Sequence, residues 1–352
     1  MRPVIINDRE ISDRYPPYVI AEISANHNGS LERAKHTIKA AKDAGASAVK
    51  IQSYTPDTMT LDVKLDDFMI SEGLWRGRSL YDLYTEAHTP FEWHEELFTC
   101  AKSIGITLFS SPFDETSVDL LLSLDAPAYK IASFEIVDLP LISYIAKAGK
   151  PMLISTGMAT FEEIGQALEA ARCHGTIDIA LLHCISSYPT PITAANLLTI
   201  QKLTTEFNLQ VGLSDHTIGS TAAIAATALG ARLIEKHFTL DHEIKGPDSA
   251  FSIQPDAFKN LVTATQEAFV SLGQPLTTPA PEEQGNKVFR RSLYYVRDIR
   301  RGALIDETDL RRIRPGFGLA PKYLGQVIGK KATRDIYRGE RVSWASLEDD
   351  TD

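Results

Sequence analysis

The sequence predicts an α/β protein, a (β/α)8 TIM barrel followed by a small C-terminal domain. Three observations carry that reading. Eight short apolar, β-prone runs recur through the first 270 residues or so, separated by segments of helical periodicity. No G-x-G-x-x-G follows the first run, which argues against a doubly wound sheet with the same alternation. Finally, the periodicity stops at GQPLTTPAPEEQGN, residues 273–286, whose Pro, Gly and polar content reads as a linker.

The runs, in order, are Tyr18–Ile23, Ala48–Gln52, Thr107–Phe109 and Tyr129–Ile131, then Met152–Ile154, Ile179–His183, Gln210–Leu213 and Leu233–His237. Each is short and rich in Val, Ile, Leu or aromatic residues, as strands buried on both faces must be. Amphipathic segments such as Leu31–Gly45, Phe161–Gly175 and Ser220–Ala231 supply the helices, with Gly45 placed to stop the first. The stretch Tyr54–Pro90 is an insertion, expected over the active face. The expected domains are therefore a catalytic barrel over 1–272, a linker over 273–286 and a tail domain over 287–352.

Charge supports the division. The tail from Lys287 holds 15 basic and 10 acidic residues, a net of +5, whereas the residues before it hold 21 and 36, a net of −15. A basic tail is either a solvated surface or a cap for an anionic ligand. The whole chain has 352 residues and a net charge of −10, which disfavours nucleic-acid and anionic-membrane partners. Its 43% hydrophobic and 23% charged content is that of a globular fold. Cys100, Cys173 and Cys184 form no C-x-x-C pair, MRPVIINDRE is no signal peptide, and no run is long enough to span a membrane. The expectation is a cytoplasmic enzyme.

Barrel enzymes carry their chemistry at the carboxyl ends of the strands. Here those ends read Glu22 with Asn26-His27-Asn28, Lys50 with Gln52, Ser110-Ser111, and Lys130 with Ser133 and Glu135. They continue with Ser155-Thr156, His183 with Ser186 and Tyr188, Ser214-Asp215-His216, and Glu235-Lys236-His237. A lone Ser or Asn at such a place is usually structural, but polar groups after all eight strands point to a site. Lys50 and Lys130, with Ser111, Ser133, Ser155, Ser186 and Ser214 around them, suit a small ligand bearing phosphate and carboxylate. Alternatively, one lysine is a Schiff-base nucleophile. His216 and His237 end adjacent strands, where two imidazoles suit a divalent metal with open positions; a lone strand-end His is more often structural.

At these residues the chain resembles the sialic acid synthase family. The resemblance runs through AEISANHNGSLERAKHTIKAAKDAGASAVKIQ, SSPFDETSVDLL, PAYKIASFEI, ISTGM, HCISSYPTP, GLSDHTIG, IEKHFTLD and GPDSAFS. In the tail, RRSLYYVRDIRRGALI, RPGFGLAPKYL and GKKATRDIYRGERV resemble the family's antifreeze-like (SAF) domain. Similarity to the pseudaminate-forming branch lies in GLWRGRSLYDLYTEAHTPFEWHEELF, FEIVDLPLI and GPDSAFS, and Ser186 stands where neuraminate-forming members usually have Asn.

The resemblance implies condensation of phosphoenolpyruvate with an open-chain acetamido sugar, 2,4-diacetamido-2,4,6-trideoxy-L-altrose in that branch. N-acetylmannosamine or the legionaminate precursor are the alternatives, and a non-catalytic carbohydrate-binding module on a barrel is a more distant one. It also implies phosphoenolpyruvate on Lys50, Lys130 and the five serines, and Mn2+ or Mg2+ on His216 and His237. Glu22 would be the acid/base group, and Gln52, Tyr188, Asp248 and Arg314 would contact the sugar. Arg314 would come from the tail of a partner chain in a domain-swapped homodimer.

Overall fold

A computed structural model describes residues 1–176 and 178–348. The chain divides into two compact units, Met1–Gly273 and Gln274–Asp352.

The first unit opens with a two-stranded antiparallel hairpin, β1 (Val4–Ile6) and β2 (Arg9–Ile11). Eight parallel strands then close into a barrel: β3 (Tyr18–Glu22), β4 (Ala48–Ser53), β5 (Thr107–Pro112) and β6 (Tyr129–Ile131), followed by β7 (Met152–Ser155), β8 (Ile179–Cys184), β9 (Gln210–Asp215) and β10 (Leu233–His237). β10 pairs with β3, with His237 opposite Glu22, and β3 pairs with β4, with Glu22 opposite Lys50. The expected barrel is observed, but several strands end at other residues than expected: β3 stops at Glu22, and β4, β7, β8 and β9 run on to Ser53, Ser155, Cys184 and Asp215. The hairpin is additional, and β5 runs three residues beyond Phe109, so Ser110 and Ser111 lie inside a strand.

Alternation along the strands divides the interior into layers. Tyr18, Ile20, Ala48, Phe109, Leu153, Leu182 and Leu233 fill the lower barrel and pack with Val4, Ile6 and Ile11, so the hairpin covers the amino-terminal end. The outward residues Val19, Val49, Ile51, Leu108, Ile154, Leu181, Val211 and Ile234 form a second core with the helices. Among those helices, Leu31–Asp43 is capped by Ser30, which accepts from the Arg33 N–H, and Phe161–Cys173 by a Thr160–Glu163 capping box. A cap of this kind is worth about 1 kcal/mol. With the lower barrel sealed by hydrocarbon, the polar residues one step further along each strand have only the carboxyl-terminal end to face.

The insertion is ordered: a hairpin-like turn bridges Met69 to Ser79, and a helix follows over Leu80–Ala87. The second unit is a small β-rich fold in which β11 (Ser292–Tyr295) pairs with β12 (Leu310–Ile313) around Leu293, Tyr295, Ile305, Val327, Ile336 and Val342. Residues 273–286 are exposed almost throughout, and a 3-10 helix over Pro281–Phe289 takes in their last part. Among the described residues no helix is long and apolar enough to cross a membrane.

Candidate active site

The upper barrel layer is a buried ring of opposite charges. Lys50 Nζ lies 3.0 Å from Glu22 Oε2 and 3.1 Å from Glu235 Oε1, and Lys130 Nζ lies 3.5 Å from the same Glu235 oxygen. All four side chains are at most 4% exposed, so each charge depends on the others. Ser111 Oγ accepts from Lys50 at 3.3 Å, and Ser214 Oγ donates to Glu235 Oε1 at 3.2 Å.

The lysines are thus already paired with carboxylates. Glu235, which the sequence reading did not single out as a ligand-site residue, is the hub. Burial would raise the Glu235 carboxyl, but Lys130 and Lys50 outweigh it and hold it well below the usual range. Glu22 goes the other way: burial pushes it up to about 7, with Lys50 pulling back down and Glu235 adding to the rise. Burial also opposes the Lys50 charge, yet Glu22 and Glu235 keep its ammonium above the ordinary value; at Lys130 burial prevails over Glu235 and the shift is downward. One carboxyl stays ionised and the other can carry a proton near neutrality. Such a divergent pair is a usual basis for acid/base assignment.

The remaining serines gather nearby. Ser133 Oγ accepts from the Gly157 N–H at 3.1 Å, while Ser155 Oγ is buried with no partner of its own. A Cβ on Gly157 would lie 2.3 Å from Ser186 Oγ and 2.7 Å from Ser133 Oγ, so the ISTGM turn approaches both hydroxyls as only glycine can. Sequence alone offered no signal for Gly157, because its contribution is the space it leaves.

His216 and His237 come together with ring centroids 5.3 Å apart. His216 Nδ1 donates to the Ile185 carbonyl at 3.0 Å, which leaves Nε2 as the nitrogen with a lone pair to offer a ligand. His237 Nδ1 is buried without a hydrogen-bond partner, 3.9 Å from Asp248 Oδ2. Burial, with His216 and Lys50 nearby, holds His237 neutral by lowering its pKa well below normal. Two imidazoles, one with an unpaired buried nitrogen, fit a divalent metal that takes its other ligands from substrate or water. Among the described residues no third His, Cys, Asp or Glu completes a protein-only site.

Above this layer opens a cavity of about 550 Å3, within the roughly 300–1,000 Å3 of small-molecule sites. Gln52, Ser186, Tyr188, His237 and Asp248 line it, together with residues of the insertion. Gln52 donates to Glu22 Oε1 at 3.2 Å and to Ser24 Oγ at 3.0 Å. The Tyr188 ring lies 4.4 Å from that of His216, tilted 46° to it. Glu135 also lines the cavity with Oε2 unpartnered, its carboxyl pushed up to about 7 by burial.

Other strand-end residues have internal work instead. Asn26 binds the Phe238 carbonyl and Ser252 Oγ, and His183 Nε2 meets the Ala195 carbonyl at 2.7 Å. Ser110 meets Ser53 Oγ at 2.6 Å, which in turn meets His94 Nε2 at 2.7 Å, behind the strand ends that carry Gln52 and Ser111. Arg314 is an exposed residue of the second unit, directly after β12.

Residues 37–276 match the NeuB family. The chain belongs to that family. In this NeuB-family protein the tail, residues 290–348, matches the SAF domain. The pseudaminic acid synthase of Campylobacter jejuni is 48% identical over 94% of this chain and 96% of its own length, and that of Helicobacter pylori 46% identical over 95% and 98%. The N,N'-diacetyllegionaminic acid synthase of Legionella pneumophila is 35% identical over 94% of each chain. Among solved structures, the spore coat polysaccharide biosynthesis protein SpsE of Bacillus subtilis covers 99% of this chain and 100% of its own, with a TM-score of 0.68 and 31% identity. The citrate complex of the Leptospira borgpetersenii N-acetylneuraminic acid synthetase reaches a TM-score of 0.73 at 29% identity, over 81% of this chain and 95% of its own.

Proposed function

We propose that this protein condenses phosphoenolpyruvate with 2,4-diacetamido-2,4,6-trideoxy-L-altrose and water, forming pseudaminic acid and phosphate. The observation that carries the reading is the Lys50–Glu22–Glu235–Lys130 ring, set below a cavity whose floor includes His237. Near-full-length identity of 46–48% to pseudaminic acid synthases supports the choice of sugar. The legionaminate- and neuraminate-forming alternatives would share the catalytic end and differ around the sugar.

Phosphoenolpyruvate would take Lys50, Lys130 and the hydroxyls of Ser111, Ser133, Ser155, Ser186 and Ser214, displacing part of the lysine–carboxylate pairing in favour of its own anionic groups. C3 of phosphoenolpyruvate forms the new bond to the sugar aldehyde carbon, water adds at C2, and the C2–O bond to phosphate breaks. Glu22, able to hold a proton near pH 7, gives it to the aldehyde oxygen as that oxygen gains charge, and the resulting carboxylate can take one from the attacking water. His216 and His237 would hold Mn2+ or Mg2+, which when bound polarises the aldehyde. Gln52, Tyr188 and Asp248 would orient the sugar, with Arg314 contributed by the tail of a second copy in a domain-swapped homodimer. Its place would be the cytoplasm, where phosphoenolpyruvate is supplied.

Phosphate release, assayed with phosphoenolpyruvate and each of the three candidate sugars, tests the assignment: the diacetamido-trideoxy sugar should give the highest kcat/KM. With 18O in the bridging position of phosphoenolpyruvate, the label should leave in phosphate. Label kept in the sugar acid would exclude C–O cleavage, and borohydride trapping of a lysine adduct would favour Schiff-base chemistry instead.

A further inference from the structure

We infer that the apolar inner face of the insertion selects the far end of the sugar, accepting a 6-methyl and an acetamido methyl and rejecting hydroxyls at those places. The inference rests on the proposed condensation and assigns substrate discrimination to residues of this chain. The cavity has two chemically different ends. At the strand ends lie Gln52, Ser186, His237 and Asp248, where the aldehyde must sit to react. The lining continues with Tyr54, Ile70, Trp75, Leu83, Tyr84 and Phe113, of which all but Tyr54 and Phe113 lie within the helix and turn of the insertion, and the same turn adds one carboxylate, Glu72.

This wall is held together rather than draped. Tyr54 packs edge-on against Tyr84 at 5.7 Å and against Phe113 at 5.2 Å. Ile70 sits in the turn closed by Ile70 N–H to Arg78 O at 2.9 Å and Gly77 N–H to Ile70 O at 2.8 Å. Trp75 donates from Nε1 to the Pro247 carbonyl at 2.9 Å, next to Asp248, and its ring lies 5.9 Å from that of Tyr188. Trp75 also lines a second cavity of about 540 Å3 beside Arg78 and Lys245, so its indole is a partition between the site and a more polar space.

A six-carbon chain with C1 at the catalytic end carries C4 to C6 toward this wall. N-acetylmannosamine would bring hydroxyls at C4 and C6 against a wall that is mostly rings and aliphatic carbon, with Glu72 the charged exception, so that they lose more water than they regain in partners. The diacetamido-trideoxy sugar brings methyl groups, whose burial is favourable. A single methyl in an apolar pocket typically discriminates about 10–200-fold.

The experiment measures kcat/KM for the diacetamido-trideoxy sugar, its 6-hydroxy counterpart and N-acetylmannosamine, each with saturating phosphoenolpyruvate. Wild type should prefer the 6-methyl sugar by at least about tenfold over the 6-hydroxy one. Trp75→Ala and Ile70→Asn should each reduce that preference by about tenfold, while Trp75→Phe, which keeps an apolar ring, should retain most of it. Circular dichroism and the KM for phosphoenolpyruvate separate loss of the wall from loss of the fold. A preference unchanged in both disruptive variants overturns the inference, as does an active wild type indifferent to the 6-hydroxyl. Absence of any phosphate release with wild type and all three sugars overturns the condensation reading itself, and the inference with it.

Discussion

Lys236 Nζ lies 2.8 Å from Asp215 Oδ2, and each of these residues immediately precedes one of the two strand-end histidines, His237 and His216. The two side chains are at most 1% exposed and are register partners on β9 and β10. Lys236 also donates to the Thr217 carbonyl, while Asp215 Oδ1 accepts from Thr217 N–H at 2.9 Å and Oγ1–H at 2.8 Å. The pair therefore ties both histidine-bearing strand ends to one turn. Removing one partner leaves a buried unpaired charge, at a cost of about 3–5 kcal/mol. Lys236→Met should lose that much in urea unfolding, and adding Asp215→Leu should recover part of it. A double variant as unstable as the sum of the singles would mean that the pair does not act as a unit.

Glu22 makes stability depend on pH. In the unfolded chain its carboxyl releases a proton near pH 4.5, whereas burial in the barrel raises that value to about 7. Between those values the folded state holds a proton that the unfolded state has lost, so its contribution favours folding at low pH and fades as pH rises through 7. The full span corresponds to about 3 kcal/mol. Glu22→Gln cannot titrate and should gain relative to wild type by about 2–3 kcal/mol between pH 5 and pH 8. Urea midpoints of the two proteins at those pH values provide the check; a gap that stays constant, or shifts toward wild type, counts against a raised Glu22.

Gly157 is a steric gatekeeper for the serine cluster. Its φ is not in the left-handed region, so Gly157→Ala changes space and not backbone preference. The added methyl meets Ser186 Oγ and Ser133 Oγ and must displace both hydroxyls proposed to hold phosphoenolpyruvate. The KM for phosphoenolpyruvate should rise about tenfold or more, the loss expected when well-placed hydrogen bonds are displaced. An unchanged KM in a folded variant would place phosphoenolpyruvate elsewhere.

Much of this architecture was legible in the sequence, for a physical reason. Strands buried on both faces are short apolar runs, and a polar residue ending each of eight such runs has few explanations besides a site. The runs YVIAEI and LIEKH thus delivered Glu22 and His237 directly. What stayed hidden depends on register and distance. That Glu235 sits between Lys50 and Lys130 follows from inward alternation in a closed barrel, where β10 neighbours β3, and pairwise spacing in the chain says nothing of it. β1 and β2 have three residues each, too few to display a period. The expected run ends at Phe109 because Ser110-Ser111-Pro112 is not apolar; the segment is strand because it pairs in parallel with β4, Ile51 opposite Ser110, Gln52 opposite Ser111 and Ser53 opposite Pro112.

Metal removal should distinguish a two-histidine site from a structural histidine pair. Chelation with EDTA should abolish turnover and added Mn2+ restore it, with no loss of secondary structure. His216→Ala or His237→Ala should weaken Mn2+ binding, measured by calorimetry in the absence of substrate, at least about tenfold. Full activity after exhaustive chelation, or Mn2+ affinity unaffected by both substitutions, would remove the metal from the proposal.

The proposed sharing of the site between two chains is testable because the residues assigned to it lie in separate units: Glu22 in Met1–Gly273 and Arg314 in Gln274–Asp352. The 14 residues from 273 to 286 could span up to roughly 45 Å if fully extended, enough to serve either the same chain or another. Glu22→Gln and Arg314→Ala should each be inactive alone, the first lacking its proton carrier and the second the donor fork proposed to grip the acetamido carbonyl. After subunit exchange between the two inactive variants, a mixed dimer would contain two different sites under trans sharing. One joins the intact barrel of the Arg314→Ala chain to the intact tail of the Glu22→Gln chain and is whole; the other carries both defects. Mixed dimers should then recover up to about half of the wild-type rate, one working site in two. Under cis sharing every site keeps one defect, so absence of recovery despite exchange followed by mass spectrometry of the dimers would reject the swapped arrangement.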